Sequence, residues 1–446
     1  MSTRRRLSAA IAAAIAGLAV VAAGAPAAAP TVRFVNFGHP GDTYSAEEPS
    51  IGVDQKTGGV LYQAGITTYN VSGFQPATGE STWTRATAIT TSVDTLDPIL
   101  ETDAVSGRTF VSQLTGVCSL MAYTDDDGKS WTDVPNGCPL GSAFDHQSVG
   151  TGAFVDGGAL RPATGYDRAV YYCSQAGYAV NCGTSIDGGR SFLPATHAWT
   201  FADGCSGLHG HIASAPDGTV YVPPDDCDGE ASVVSSADNG LTWSLHHVDG
   251  THVGSGGDPS IAADAASNVY FAWPSDIGDG AVPTVSVGRG RGEQWGPPHV
   301  LGREFRINNV RFPAVVAGDA GRAAVAFLGT STRGYSEAED FAGVWRLYVA
   351  FTYDGGRTWR TVLATPESPV QVGRICMLGV LCPNDGSRNL LDFMDATLDP
   401  QGRILVSFAD GCLEQMCDSR ARNRRPTISR QQSGKGLFAK YDGQLG

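Results

Sequence analysis

Acidic, imidazole and guanidinium side chains stand immediately ahead of seven short apolar segments in this chain. If the segments are equivalent strands of one repeated unit, these side chains converge at one end of the fold. Such a ring could bind a cation, a sugar or a cationic ligand, or hold acid and base carboxyls with separated pKa values. The alternative is that they start turns and line a hydrated channel. The candidates are Glu48, Asp97, Asp145, His146, His209, His211, Asp258, Arg311 and Asp392.

Three of the seven segments nearly superimpose. Residues 49–54, 98–103 and 259–264 each begin with Pro, end with Asp and lead into a second β-rich segment. Alternation of apolar residues with turn residues between the segments predicts paired antiparallel strands. Looser copies run through residues 147–172, 211–222, 313–327 and 394–408.

A second repeat is an eight-residue turn. Each copy has Ser or Thr first, Asp third, Gly fifth and an aromatic residue eighth. We expect side-chain oxygens to accept backbone N–H bonds, Gly to take a positive φ, and the aromatic residue to anchor the turn. The four copies span residues 124–131, 185–192, 236–243 and 352–359, and degenerate copies end at Trp83 and Trp295. Their spacing suits one four-stranded sheet for each copy.

The eight-residue turns resemble the Asp-box (BNR) repeats of the secreted bacterial sialidase-like β-propellers, in the neuraminidase superfamily. The resemblance implies an all-β fold, a β-propeller of four-stranded blades, as a single domain over residues 30–446. The seven segments favour seven blades, and six, as in the catalytic sialidases, is the alternative. In the seventh unit we expect residues 427–429 and 436–439 as outer strands, with residues 32–37 pairing there to close the ring.

The resemblance also implies a set of catalytic residues. A sialidase uses three arginines that clamp a carboxylate, a tyrosine nucleophile activated by glutamate, and an aspartate acid/base. Arg311 stands at a strand start, and Arg306 lies in a Phe-Arg-Ile-Asn element similar to the family's Phe-Arg-Ile-Pro. Asp258 or Asp97 could act as the acid/base. The tyrosine candidates are Tyr335 and Tyr353.

Residues 1–29 have the three-part pattern of a secretory signal, with an arginine cluster, an apolar run and small residues at the end. We therefore expect a secreted, extracellular protein without a membrane span. Without the three signal arginines, 28 basic residues stand against 45 acidic ones, a formal charge of −17. This acidity disfavours nucleic acid as a partner.

The ten cysteines fall into pairs that are close in sequence, and an exported context favours disulfides between neighbours. The predicted pairs are Cys118–Cys138, Cys173–Cys182, Cys205–Cys227, Cys376–Cys382 and Cys412–Cys417.

Two local groups of residues could bind a metal ion, although the fold requires no cofactor. Asp225, Asp226 and Asp228 could hold calcium, with a solvated acidic loop as the alternative. His209 and His211 could form a ligand pair on one strand face, with a polar channel lining as the alternative.

Two functional hypotheses follow. The first is a secreted propeller that acts on or binds an extracellular glycan or glycoprotein through its central funnel, with sialidase-type exo-glycosidase activity. The second is a non-catalytic propeller that serves as a protein- or carbohydrate-binding module. We expect a monomer, because a closed ring of blades leaves no sheet edge that needs a partner.

Overall fold

A computed structural model describes residues 31–93, 97–116, 118–134, 145–163, 165–254, 256–413, 417 and 422–444. Within these ranges the chain is all-β, as predicted, with thirty strands and five short 3-10 helices. The 3-10 helices are Ile89–Thr91, Phe201–Asp203, Arg303–Phe305, Gly379–Leu381 and Ala439–Tyr441.

The strands follow one another with short connections. In chain order they are β1 (Arg33–Gly38), β2 (Ser50–Val53), β3 (Val60–Ala64), β4 (Thr67–Gln75), β5 (Glu80–Arg85), β6 (Pro98–Thr102), β7 (Thr109–Leu114), β8 (Ser119–Thr124), β9 (Thr132–Val134), β10 (Asp145–Gly152), β11 (Ala169–Ala176), β12 (Ala179–Ser185), β13 (Thr196–Thr200), β14 (Ala213–Ser214), β15 (Val220–Val222), β16 (Ser232–Ser236), β17 (Ser244–His247), β18 (Ser260–Ala263), β19 (Val269–Asp276), β20 (Ala281–Arg289), β21 (Gln294–Trp295), β22 (His299–Val300), β23 (Asn309–Ala317), β24 (Ala323–Thr330), β25 (Val344–Thr352), β26 (Arg360–Leu363), β27 (Gln371–Val372), β28 (Asp395–Leu398), β29 (Ile404–Asp410) and β30 (Arg425–Ser433).

Most of these strands form four-stranded antiparallel sheets in sequence order. Four such sheets are β2 to β5, β6 to β9, β10 to β13 and β14 to β17. The next two groups, which begin at β18 and at β23, belong to one larger sheet, joined by the single parallel pair Ala281 and Asn309. In the first of these groups, β21 and β22 share the outer edge of β20. The repeated sheets are those that a propeller requires.

The last sheet joins the two ends of the described chain. Its order is β1-β30-β29-β28, and Phe37 of β1 lies opposite Ile428 of β30. The predicted pairing of residues 32–37 with the C-terminal strands is therefore confirmed. The predicted strand at 436–439 is wrong, because β1 already occupies the outer edge of β30. Instead, Leu437 binds Gly402 and Asp319 through backbone hydrogen bonds.

The first strands of the seven four-stranded groups lie side by side. The strand β2 contacts β6, β6 contacts β10, β10 contacts β14, β14 contacts β18, β18 contacts β23, and β23 contacts β28. The series returns on itself, because β28 also contacts β2. Residues just ahead of these strands are therefore brought towards one another from distant parts of the sequence.

The eight-residue turns form as their sequence predicts. In the copy at 236–243, Ser236 Oγ accepts the Gly240 N–H at 2.8 Å, and Asp238 Oδ1 accepts the Thr242 N–H at 2.9 Å. Gly240 has a φ of +82°, which disfavours a side chain there. The Trp243 indole N–H donates to Thr196 in the neighbouring outer strand. The turns thus fasten the outer strands and are structural.

Apolar side chains fill the spaces between successive sheets. One cluster combines Phe312 of β23, Trp345 of β25 and Phe408 of β29, which belong to two different sheets. A fully buried side chain of this size contributes roughly 3–5 kcal/mol to stability, as judged by truncation to alanine. The packing between sheets therefore fixes where each first strand begins.

Four of the predicted disulfides are present. They are Cys173–Cys182, Cys205–Cys227, Cys376–Cys382 and Cys412–Cys417. The fifth predicted pair, Cys118–Cys138, includes a residue outside the described ranges. Over the part of the chain that the structure describes, no helix is long and apolar enough to cross a membrane.

Candidate functional site

The starts of several first strands meet at a cavity of about 700 Å³. Its wall is strongly acidic, and the loop 377–381 contributes aliphatic side chains on one side. The carboxylates that line it are Asp97, Asp145, Asp225, Asp226, Asp258 and Asp392. The cationic side chains in the lining are His146 and Arg388. We refer to it as the acidic cavity.

Local backbone geometry explains why these side chains point inward. Asp97 and Asp258 are each followed by a proline, which lacks an N–H and is tolerated where a strand begins. His146 has a φ of +45°, and a register shift between Asp145 and Gln147 interrupts the pairing of β10 with β11. A bulge of this kind redirects side chains. It places two consecutive residues, Asp145 and His146, in the cavity wall.

His146 bridges two carboxylates. Its Nε2 lies 2.9 Å from Asp258 Oδ1, and its Nδ1 lies 3.2 Å from Asp145 Oδ1. Burial alone would lower the pKa of His146, but the two carboxylates outweigh it and raise the pKa well above its usual value. The ring is therefore an imidazolium that donates from both nitrogens and ties β10 to the start of β18.

Asp97 and Asp145 form a pair of carboxyl groups in different environments. Asp97 is only 5% exposed, and burial raises its pKa to about 7, against the lowering effect of His146. Burial would also raise the pKa of Asp145, but hydrogen bonds from His146 outweigh it and hold the pKa below its usual value. An oxygen of each carboxyl and a nitrogen of His146 lie within 4.8 Å of one another. Near neutral pH one carboxyl can thus carry a proton while its neighbour is ionised.

Asp97 also has an unsatisfied atom. Its Oδ2 is buried and makes no hydrogen bond to the described residues. A buried polar atom without a partner costs roughly 1–3 kcal/mol, so such atoms commonly mark a place where a ligand or ordered water binds. Asp97 lines the acidic cavity, and its unsatisfied oxygen marks that position for a ligand group or an ordered water.

A guanidinium and two further carboxyls interact with Asp97 and Asp145. Arg388 donates from both terminal nitrogens to the two oxygens of Asp392. Glu48, behind this pair, is 1% exposed. Burial, then the carboxylates of Asp97 and Asp392, raise the pKa of Glu48 well above its usual value. Glu48 is accordingly a neutral group, and both terminal nitrogens of Arg388 are hydrogen-bonded to Asp392.

Asp225 and Asp226 complete the acidic wall. They belong to a loop that the Cys205–Cys227 disulfide ties down. Burial, followed by the charge of Asp258, raises the pKa of Asp225 to about 7. Asp228, which the sequence grouped with them as a calcium site, is exposed and does not line the cavity. The three carboxylates therefore do not converge, and calcium binding stays a prediction.

His209 is buried and His211 is half-buried, and neither lines the cavity. Burial, then the charge of His146, lowers the pKa of His209 to about 4, so this ring is neutral. The His211 ring packs edge-on against Phe393 at 4.7 Å between centroids. The Nε2 atoms of both rings are buried without a hydrogen-bond partner among the described residues, and the ligand pair stays a prediction.

The two arginines proposed from the sequence lie elsewhere. Arg311 is 0% exposed, and its Nη2 lies 2.8 Å from Ser336 Oγ and 3.3 Å from Glu337 Oε1. Arg311 lies inside β23, which begins at Asn309, and a register shift follows it before Ala314. Arg306 is exposed in the turn that follows Arg303–Phe305. Neither Arg311 nor Arg306 lines the acidic cavity, and their roles in ligand binding or catalysis stay predictions.

The candidate tyrosines are not activated. Tyr335 is 59% exposed, and burial together with the nearby charge of Glu337 raises its pKa, the opposite of what a nucleophile needs. Tyr353 lies in the eight-residue turn at 352–359, and its hydroxyl donates a hydrogen bond to the backbone carbonyl of Lys435. Arg388 is thus the single arginine in the described lining, so the arginine clamp of a sialidase is not assembled in this cavity.

Asp97, Asp145 and His146 also meet the distance requirement for a metal centre. A metal needs a lone pair from the imidazole, whereas both nitrogens of His146 already face carboxylates. The arrangement therefore fits a hydrogen-bonded acid/base group better than a metal centre.

Comparison with known proteins gives distant likenesses among solved structures. No protein-family model matches the sequence, and no curated protein matches it. Solved structures that are similar in fold include a polysaccharide lyase of family PL25, an ulvan lyase bound to -[GlcA(1-4)Rha3S]-. Its sequence identity to this chain is 13%, and its TM-score is 0.48. The alignment covers 91% of this chain and 96% of the lyase. YCF48 from Cyanidioschyzon merolae has 11% sequence identity and a TM-score of 0.48, and the alignment covers 89% of this chain and 98% of YCF48. The intramolecular trans-sialidase from Ruminococcus gnavus has 11% sequence identity and a TM-score of 0.41, and the alignment covers 64% of this chain and 90% of the trans-sialidase. Likenesses of this size carry no argument about activity.

Proposed function

We propose that this chain is a secreted glycoside hydrolase that works in the acidic cavity of a seven-bladed β-propeller. The observation that carries the proposal is the Asp97 and Asp145 pair. One carboxyl has its pKa raised to about 7 and the other has its pKa lowered, while their oxygens lie within 4.8 Å. Pairs of carboxyls whose environments separate their pKa values are the acid and base of glycosidic bond cleavage.

The blade count rests on the first strands. Seven four-stranded groups supply first strands that contact one another in a closed series, and β1 completes the last sheet beside β30. Circular closure leaves no exposed first-strand edge. Secretion is supported by the four disulfides, which are typical of oxidising compartments.

The chemistry follows from the two protonation states. Protonated Asp97 donates its proton to the glycosidic oxygen as the bond from that oxygen to the anomeric carbon breaks. Ionised Asp145 attacks the anomeric carbon and forms a glycosyl ester. A water then attacks the same carbon, the ester bond breaks, and Asp97 takes the water's proton and is restored.

The spacing of the two carboxyls favours this two-step route. Carboxyls that work with a water between them stand about 6.5–9.5 Å apart, whereas a direct nucleophile stands about 5–5.5 Å from the acid. One oxygen of Asp97 lies within 4.8 Å of one oxygen of Asp145, and this close approach leaves little room for an intervening water. The sugar released should therefore keep its anomeric configuration.

Sialic acid is not the substrate that this cavity favours. Its carboxylate would meet an acidic wall, and Arg388 already faces Asp392. Sialidase-type hydrolysis, expected from the Asp-box resemblance, is therefore replaced here by hydrolysis that relies on two aspartates.

The test is turnover of a panel of aryl glycosides by the purified protein, with an aryl sialoside included, and with proton NMR of the anomer first released. We expect turnover of at least one non-sialic substrate with retention, and a loss of roughly 10²–10⁴-fold in Asp97→Asn. Asp156→Asn, at an exposed carboxylate outside the cavity, is the matched control and should be unchanged.

Absence of turnover on every sugar by folded protein would contradict the proposed function. It would favour the non-catalytic alternative, in which the cavity only binds a ligand.

A further inference from the structure

A second cavity lies beside the acidic cavity. It has a volume of about 240 Å³, and Val253 and Gly254 line both cavities. Ligand sites in proteins usually enclose roughly 300–1,000 Å³, a range that the acidic cavity meets and the second cavity does not. The second cavity therefore suits one unit of a longer ligand that is already held in the acidic cavity.

The boundary between the two cavities is held by backbone hydrogen bonds. The Gly254 N–H donates to the carbonyl of Pro274 at 2.9 Å, and the Asp276 N–H donates to the carbonyl of His252 at 3.1 Å. Pro274 and Asp276 belong to the end of β19. The boundary is thus fastened to a strand, and the two cavities are in a fixed arrangement.

Tyr335 supplies an exposed aromatic ring to the second cavity. The residue is 59% exposed and lines this cavity. Its backbone is held on both sides, because the Gly334 N–H donates to the Asp279 carbonyl at 2.9 Å and the Tyr335 carbonyl accepts the Ala338 N–H at 3.0 Å. An aromatic side chain on a fixed backbone loses little conformational freedom when a ligand binds it.

The rest of the second cavity is polar. The exposed Asp276 and Asp279 line it, together with Asn309 and Ser336. An aromatic face beside hydrogen-bond acceptors matches a pyranose, which has an apolar C–H face and hydroxyl donors. Arg333, the ion-pair partner of Asp279, does not line the cavity, and the acidic groups disfavour an anionic sugar.

We propose that the ligand of this face is a neutral oligosaccharide chain that occupies both cavities, with one sugar ring stacked on Tyr335. The inference rests on the proposed function, since it assumes that the acidic cavity takes a sugar. Asp97 and Asp145 act at the glycosidic bond, and Tyr335 binds a sugar further along the same chain. Tyr335 thereby selects chains over single sugars.

Binding as a function of chain length tests the inference. Calorimetric titration compares the disaccharides and hexasaccharides of β-1,4-linked glucose, mannose and xylose, with hexagalacturonate as the anionic chain. Mass spectrometry of each sugar after titration reports whether it was cleaved. We expect at least one neutral hexasaccharide to bind with a Kd about tenfold or more below that of its disaccharide and of hexagalacturonate.

Variants of Tyr335 test its assignment. Tyr335→Ala removes the ring, and we expect it to raise Kd for that hexasaccharide about tenfold, with a smaller change for the disaccharide. Tyr335→Phe keeps the ring and should bind the hexasaccharide within about threefold of the unsubstituted protein. Tyr178→Ala is the matched control, because Tyr178 is 66% exposed and lines neither cavity. Thermal unfolding establishes that each variant is folded.

The outcomes separate this inference from the proposed function. The inference is overturned if no neutral hexasaccharide binds more tightly than its disaccharide, if hexagalacturonate binds as tightly, or if Tyr335→Ala leaves Kd unchanged. Hydrolysis of aryl glycosides in any of these cases would leave the proposed function intact. Tyr335-dependent binding of a hexasaccharide that stays uncleaved would support the inference and contradict the proposed hydrolysis.

Discussion

The Nε2 atom of His146 lies 2.9 Å from Oδ1 of Asp258, although 112 positions separate the two residues in the chain. The contact joins the start of β10 to the start of β18, and these strands are not neighbours in the series of first strands. It therefore spans the cavity wall and holds Asp145, the other partner of His146, in place. The imidazolium is the central positive charge of an otherwise acidic site.

Stability should depend on the charge of His146. Because Asp258, Asp145 and Asp97 raise its folded pKa above the unfolded value near 6.5, its contribution is fully present below that value and is lost as pH rises through the folded pKa. We expect His146→Gln to lower Tm at pH 6 more than at pH 9. Thermal unfolding across pH measures this, with exposed His252→Gln as the control. An equal loss at both pH values would contradict the imidazolium.

Asp97 should limit stability at alkaline pH. Burial raises its pKa to about 7 against the opposing charge of His146, and the carboxyls near it are Asp145, Asp392, Asp258 and Glu48. Because the folded pKa of this carboxyl lies above the unfolded value near 4, its contribution to the free energy of unfolding is fully present below pH 4 and declines as the pH increases. We expect Asp97→Asn to raise Tm at pH 8, by a stability gain of roughly 1–3 kcal/mol, and to have little effect at pH 4.

A lower Tm for Asp97→Asn at pH 8 would show that the ionised carboxylate is stabilising. The pair of an acid group and a nearby base would then have to be reassigned.

Arg311 should matter for folding rather than for chemistry. It is fully buried, and burial lowers its pKa to about 10 while Glu337 opposes that shift. Removing one member of a buried ion pair costs roughly 3–5 kcal/mol. We expect Arg311→Ala to lower the free energy of unfolding, measured with denaturant, by about that much. Arg333 is in an exposed pair with Asp279, and Arg333→Ala should lower the free energy of unfolding by less than about 1 kcal/mol. A stable Arg311→Ala variant with lost turnover would restore the catalytic role predicted from sequence.

The loop closed by Cys376–Cys382 should position the ligand. It places Met377, Leu378 and Leu381 on the cavity, and Leu381 is 80% exposed. A closed loop loses less conformational freedom when it binds. We expect the double variant Cys376→Ser and Cys382→Ser to raise KM several-fold with little change in kcat. A fall in kcat at constant KM would contradict a role confined to binding.

The sequence predicts the strands well because their turns carry the information locally. Each eight-residue turn contains its own acceptors and its glycine, so no distant contact is needed. The ring of polar residues at the strand starts is predicted for the same reason, and Asp97, Asp145, His146, Asp258 and Asp392 do line one cavity.

The remaining features depend on contacts that no local pattern encodes. Arg311 lies inside β23, which begins at Asn309, and its guanidinium is buried against Ser336 and Glu337. Arg388 and the loop 377–381 reach the cavity from an irregular segment between β27 and β28. The one sequence signal for Arg388 is its spacing of four residues from Asp392, which is too common to identify a site.

Leaving-group dependence of Asp97→Asn tests the acid/base pair most directly. A general acid is needed only when the departing oxygen is basic, so kcat/KM should be compared for dinitrophenyl and methylphenyl glycosides of the sugar that the protein accepts. The proposed roles predict a loss of roughly 10²–10⁴-fold on the methylphenyl glycoside and a much smaller loss on the dinitrophenyl glycoside, with Asp145→Asn slow on both. Equal losses for Asp97→Asn on the two glycosides would contradict Asp97 as the acid.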